Sequence, residues 1–145
     1  MRKAARAIIF RNDALLVMKR NKFGYKKYVL IGGGVSHGES VEQALVREVR
    51  EETGLEISKY KLVGVEHAGD MYGIQYVFLC EDPGGEVALH PDTEEAKIHA
   101  LGQNLYEPMW LPIKDLADST FVSEKLKQFI IDGVNHGFPE EPQEI

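Results

Sequence analysis

Three carboxylates, Glu48, Glu51 and Glu52, fall within little more than one helical turn of the segment VREVREETGL, residues 46–55. Ionised groups this close repel one another, so the run is either a solvated surface or half of a cation site. The two readings differ in where the side chains point. On a wheel of about 100° per residue, Val41, Ala44, Leu45 and Val49 gather on one side, with Glu39, Gln43 and Arg50 on the other. Glu48, Glu51 and Glu52 project with Val41, Ala44 and Leu45, further along the helix. A face that is apolar early and acidic late is a packed face, and burying charge without compensation is costly. Arg47 can pair with Glu51 at the i,i+4 spacing, but one arginine does not balance three carboxylates. Hard divalent cations take oxygen ligands, and Mg²⁺ uses a few carboxylates while keeping waters that a phosphate can displace.

Upstream lie Gly32, Gly33 and Gly34. A loop that brings its backbone close to a cation or a phosphate has no room for a Cβ, and glycine also permits positive φ. Gly33, five residues, Glu39, seven residues, then Arg47-Glu48-Val49-Arg50-Glu51-Glu52-Thr53-Gly54-Leu55 form a fixed-spacing pattern in which nine of these eleven positions are specified. This pattern resembles the signature of the Nudix hydrolases, and every specified position is filled. Outside its specified positions, Tyr28, Ile31 and Ser36 stand where the family often has tryptophan, proline and glutamate.

The resemblance implies an α/β fold, a Nudix-like α/β/α sandwich with a mixed β-sheet. It implies that Glu48, Glu51 and Glu52 bind Mg²⁺ (or Mn²⁺), with the Gly32 carbonyl as a further ligand and Arg47 holding the carboxylates in place. The reaction implied is Mg²⁺-dependent hydrolysis of a diphosphate bond in a nucleoside diphosphate linked to another moiety: a nucleotide, a nucleotide sugar or a dinucleoside polyphosphate. Gly33, Gly34 and Glu39 are placed at the substrate; Glu39 either faces the helix dipole or reaches the water shell of the metal. The general base is either a helix glutamate or a carboxylate of a later loop, where Glu94 and Glu95 stand in HPDTEEAK; Glu107 is a weaker candidate. In the loop KRNKFGYKK, lysines and Arg20 lie beside Phe23, Tyr25 and Tyr28, a mixture suited to phosphate pairing and base stacking. Arg20 and Tyr28 are its candidate substrate contacts. Two other classes stay open: a non-catalytic nucleotide sensor on the same fold, and an isomerase, which would need a catalytic cysteine near the site.

These residues need a frame. Apolar runs at 4–9 and 14–18 flank the turn signal Asn12-Asp13 and predict a hairpin. The basic loop leads to a short strand near 28–31. The acidic helix spans about 41–53, with capping-box spacing at Ser40 and Gln43 and Gly54 as its stop. Strands are expected near 60–68 and 74–81, a short one at 86–89, a long loop over 90–105, and a strand at 109–113. A last helix over 124–132 ends at Gly133. One domain is expected over 1–136, with a mobile acidic tail over 137–145.

Composition bounds the rest. The chain has 145 residues, 43% of them hydrophobic, which suits one folded domain with a sizeable core. A net charge of −6 argues against a protein that coats nucleic acid, and no nucleic-acid partner is expected. A small anionic substrate is still allowed, because a bound divalent cation reverses the local field. The single cysteine, Cys80, sits in an apolar run and cannot form an internal disulfide. No stretch approaches a membrane span, and no signal-peptide pattern opens the chain, so a cytoplasmic location is expected. The family often forms homodimers.

Overall fold

The computed structural model describes residues 1–88 and 104–145. Among the described residues nine strands form a mixed sheet, and helices cover both of its faces. Strand β1 (Lys3–Ile8) is central: it pairs antiparallel with β4 (Tyr25–Gly34) and parallel with β6 (Ile74–Cys80). Buried residues on both faces of β1 account for its near-continuous apolar run. Strand β5 (Tyr60–His67) pairs with β6 across a short helical turn, α2 (Gly69–Tyr72).

The predicted hairpin at Asn12-Asp13 joins β2 (Phe10–Arg11) to β3 (Ala14–Lys22), and both turn residues have positive φ, 48° and 61°. The basic segment expected to be a loop is instead strand: β3 runs to Lys22, β4 starts at Tyr25, and only Phe23-Gly24 turns. Strand β4 serves two halves of the sheet. Its residues from Tyr25 to Leu30 pair with β3, and those from Ile31 to Gly34 pair with β1. Strand β7 (Asn104–Pro112) is longer than expected and flanks β3. The short helix α3 (Ile113–Leu116) leads to β8 (Phe121–Val122), which pairs parallel with β4.

Helix α1 (Val41–Thr53) packs Ala44, Leu45 and Val49 against Ala5, Ala7 and Ile31 on one face of the sheet. Helix α4 (Glu124–His136) packs Leu126 and Ile130 against Ile8, Leu30 and Val77 on the other. The chain is thus an α/β/α sandwich with a mixed sheet. Gly133 does not stop α4. The Phe138 ring lies 2.2 Å from where a Gly133 Cβ would stand, so this glycine admits a ring from the segment that follows.

That segment overturns the expectation of a mobile tail. Gln143–Glu144 form β9 beside β5, and the Ile145 N–H donates to the Val65 carbonyl at 2.9 Å. The acidic, proline-broken composition concealed two apolar anchors, Phe138 and Ile145, which join the core beneath α4. Residues 86–88 form no strand. The rest of that expectation and most of the 90–105 loop lie outside the described residues. Among the described residues no helix is long and apolar enough to cross a membrane.

Candidate active site

Helix α1 is fixed at both ends. The Gln43 N–H donates to Ser40 Oγ at 3.0 Å, and the Ser40 N–H donates to Gln43 Oε1 at 2.8 Å. Gly54, at φ 79°, closes the other end. The carboxylates of the last turns therefore stand at set positions against β4. Glu52 is only 4% exposed, as the wheel requires, and its Oε1 accepts the Gly32 N–H at 2.7 Å. Glu48 lies over Gly33: a Cβ there would come within 2.7 Å of the carboxylate. Gly32 has φ 142°, and a Cβ on it would stand 2.0 Å from the Ala5 carbonyl oxygen. The glycine run thus lets β4 pass closely between β1 and α1, with Glu48 resting against its backbone.

Arg47 organises the cluster. Its Nε and Nη2 donate to both oxygens of Glu39 at 2.7 and 2.9 Å, a bidentate pair. Nη1 reaches Glu48 at 2.9 Å and Glu51 at 3.2 Å, and Nη2 also donates to the Gly34 carbonyl at 3.0 Å. Hydrogen bonding to Glu39 raises the Arg47 pKa, so the guanidinium stays charged. In return, the hydrogen bonds from Arg47 bring the Glu39 carboxyl down to about 2. The Ser36 N–H, donating to Glu39 at 3.0 Å, adds to that effect. Glu39 therefore ties Arg47 to the glycine loop, which neither of its expected roles includes.

Among the described residues, no three His, Cys, Asp or Glu side chains stand in a metal-ligating arrangement. Arg47 lies between Glu48 and Glu51. Even so, the residues suit a hard divalent cation, with carboxylate oxygens of Glu48, Glu51 and Glu52 as donors and a wall at Gly33 that only glycine leaves open. The Gly32 carbonyl, expected as a ligand, instead accepts from Arg6 Nη1 at 3.1 Å, so a cation of the protein itself faces it.

Arg6 links this cluster to a cavity of about 320 Å³. Its Nη1 also donates to the Leu30 carbonyl at 3.2 Å, and its Nε to Gln75 Oε1 at 2.8 Å. Burial lowers the Arg6 pKa, and the Glu52 charge opposes that shift. Arg6, Arg20, Lys27, Glu66, Gln75 and Ser123 are among the lining residues. Ser123 Oγ donates to Glu66, which is 5% exposed. Arg20 stands with its guanidinium carbon 5.2 Å from the Tyr106 ring centroid. Its Nε is buried without a hydrogen-bond partner among the described residues. A cationic cavity wall with an unsatisfied donor suits an anionic ligand.

The other expected residues are dispersed. Tyr28 packs beside the core under α4 and does not line the cavity. Gly33 and Gly34 meet Glu48 and Arg47 instead. Glu94 and Glu95 lie outside the described residues. Glu107 is exposed in mid-strand opposite Lys19. Burial pushes the Cys80 thiol up to about 12, and the side chain packs in the apolar core beneath α1. Arg6, Glu66 and Gln75 were missed by sequence reasoning. The available signal was a charged residue inside an apolar strand run, KAARAII for Arg6 and LVGVEH for Glu66.

A family model described as the NUDIX domain matches residues 1–130. The chain is 37% identical over 103 residues to an ADP-ribose pyrophosphatase of Methanocaldococcus jannaschii, covering 68% of this chain and 61% of that protein. It is 30% identical over 109 residues to the NAD-capped RNA hydrolase NudC of Pseudomonas entomophila, covering 75% of this chain and 36% of that one. The chain thus spans less than two thirds of the length of these curated relatives. A crystal structure of an ADP-ribose pyrophosphatase from Streptococcus suis shares the fold, with a TM-score of 0.69 at 19% identity, covering 99% of this chain and 98% of that one.

Proposed function

The chain belongs to the Nudix hydrolase family, and from that premise we propose that it hydrolyses a diphosphate bond in a nucleoside diphosphate linked to another moiety. One observation supports this reading most: a carboxylate cluster on α1 adjoins a cavity walled by arginines, and Arg6 bonds to strand β4 between them. A cavity suited to an anion beside carboxylates suited to a cation supports the reading, because cleavage of a diphosphate needs both together.

Arg20, Arg6 and Lys27 bind and orient the substrate anion. Arg20 gains most, because its buried Nε acquires an acceptor. Glu48, Glu51 and Glu52 would hold Mg²⁺ or Mn²⁺, which supplies charge neutralisation and makes water more acidic. Arg47 keeps Glu48 and Glu51 in register with the glycine loop, and Glu39 keeps Arg47 charged and in place. The proton of the attacking water passes to a carboxylate, either a helix glutamate or Glu94 or Glu95. The relatives' substrates set the starting panel, ADP-ribose and NAD-capped RNA, followed by nucleoside triphosphates, sugar nucleotides and dinucleoside polyphosphates.

Product analysis over that panel, with and without Mg²⁺, tests the reading. Mg²⁺-dependent release of a nucleoside monophosphate from at least one compound is expected. Tight nucleotide binding with no product from any compound would favour a sensor and overturn it.

A further inference from the structure

Glu66 has a place in the cavity that the proposed reaction does not use. The side chain is 5% exposed, and among the described residues it forms no ion pair. Among them, only its Oε2 has a hydrogen-bond partner, the Ser123 hydroxyl. Ser123 in turn accepts the Leu126 N–H at 3.1 Å and caps α4, so Glu66 lies by a helix N-terminus that favours its charge. That setting accounts for one acceptor. A glutamine oxygen would serve the hydroxyl as well, without the cost of burying a charge. The second oxygen of a buried carboxylate on a cavity wall calls for a donor from a ligand.

Strand order sets Glu66 apart from the cations. Strands β3, β4, β1, β6 and β5 are successive neighbours, and they bring Arg20, Lys27, Arg6, Gln75 and Glu66 to the cavity in that order. The lining thus passes from positive, through a neutral amide, to negative. Gln75 is engaged on both sides of its amide: Oε1 accepts from Arg6 at 2.8 Å and Nε2 donates to the Tyr72 carbonyl. From β1 to β5 is two strand spacings, roughly 10 Å. If the arginines hold the diphosphate, as the hydrolase reading on which this rests requires, a nucleoside spans that gap. Ribose hydroxyls lie only a few bonds from the phosphates and fall short of Glu66, whereas the outer edge of a base meets it. Tyr72 and Leu126 line the same cavity and give a flat ring apolar faces.

We propose that Glu66 is the specificity residue of this cavity and that it selects guanine. An ionised carboxylate only accepts, and guanine alone among the common bases presents two adjacent donors, N1–H and the N2 amino group, on its outer edge. Adenine and cytosine set a ring-nitrogen acceptor beside their amino group, and uracil flanks its one N–H with two carbonyls. Each of these turns a lone pair toward the carboxylate, so Glu66 rejects the wrong base as well as holding the right one. Glu66 touches no reacting atom in this role.

The test is calorimetric titration of the full chain with GDP, IDP and ADP in EDTA, where binding is read without hydrolysis. Hypoxanthine, the base of IDP, keeps N1–H but lacks the amino group. GDP should bind at least about tenfold more tightly than ADP, with IDP between them. Glu66→Gln pairs one donor with one acceptor, as adenine does, and should bring GDP and ADP within about threefold. A ratio between ligands of equal charge does not change when folded protein is lost, and the three-ligand series on wild type needs no variant. Equal binding of GDP and ADP would overturn the proposal, as would a guanine preference that survives Glu66→Gln or no nucleotide binding at all. Mg²⁺-dependent cleavage of panel compounds without a base preference would remove this role from Glu66 and leave the hydrolase reading standing. A guanine preference lost in Glu66→Gln, with no panel compound cleaved, would support the role and count against that reading alone.

Discussion

Gly33→Ala probes the site without probing the fold. The added Cβ would lie 2.7 Å from the Glu48 carboxylate, against about 3.5 Å for an unstrained contact, so Glu48 must retreat by about 0.8 Å. Gly33 does not have a left-handed backbone, so alanine brings no torsional penalty there. The atom it meets is the far end of a flexible side chain, so the folding cost is about 1 kcal/mol, an off-rotamer adjustment. That corresponds to a few degrees in melting temperature for a chain of this size. Function is more sensitive. Glu48 is held by Arg47 Nη1 at 2.9 Å, and moving it disturbs the cluster that would hold the cation. A displacement near 1 Å costs catalysis about a hundredfold. Gly33→Ala should therefore melt close to wild type while kcat with Mg²⁺ falls about a hundredfold. Gly32→Ala is the contrast: its Cβ would stand 2.0 Å from a backbone oxygen at φ 142°, and the protein should lose several kcal/mol or fail to fold. Full activity in Gly33→Ala would refute the placement of Glu48 against the glycine loop.

Three further outcomes follow. The Glu39 carboxyl is held down to about 2, so its contribution to stability is complete above its ordinary range near 4.5 and is lost as pH falls from there toward 2; Glu39→Gln should remove that part of the acid-melting curve. If Glu94 or Glu95 is the base, its Gln variant lowers kcat with little change in KM or cation affinity, whereas full activity in both variants removes that loop from the mechanism. Phe138→Ala should destabilise the chain by about 1–3 kcal/mol in denaturant titration, because the ring fills the space at Gly133, and a neutral result would restore the tail to mobility.

Helix α1 is legible in the sequence because its signals are local: a capping box, a terminal glycine and an apolar stripe whose acidic end must also pack. The burial of Glu52 follows from that geometry alone. What the sequence conceals depends on long-range pairing. KRNKFGYKK reads as a loop by composition, yet ladder bonds between β3 and β4 make it strand, and the turn shrinks to Phe23-Gly24. Arg6 looks like an intruder in an apolar run until Gln75, some seventy residues later, and the Leu30 and Gly32 carbonyls supply its partners. Gly133 reads as a helix stop because nothing nearby in sequence reveals that a ring from Phe138 needs its space. The tail reads as disordered because its two apolar anchors are sparse among acidic residues and prolines.

The central claim is that the α1 carboxylates hold a divalent cation for diphosphate hydrolysis, and Glu52→Gln tests it most directly. Glutamine keeps an oxygen to accept the Gly32 N–H, now at 2.7 Å, and removes only the charge, so the fold should survive. The measurement is an Mg²⁺ titration of both proteins, following turnover of the best panel substrate alongside melting temperature. Wild type should gain activity and melting temperature with millimolar Mg²⁺ and lose both in chelator. Glu52→Gln should fold normally, respond weakly to Mg²⁺ and turn over at least about a hundredfold more slowly. A Glu52→Gln protein that matches wild type in both its Mg²⁺ response and its turnover would contradict the account.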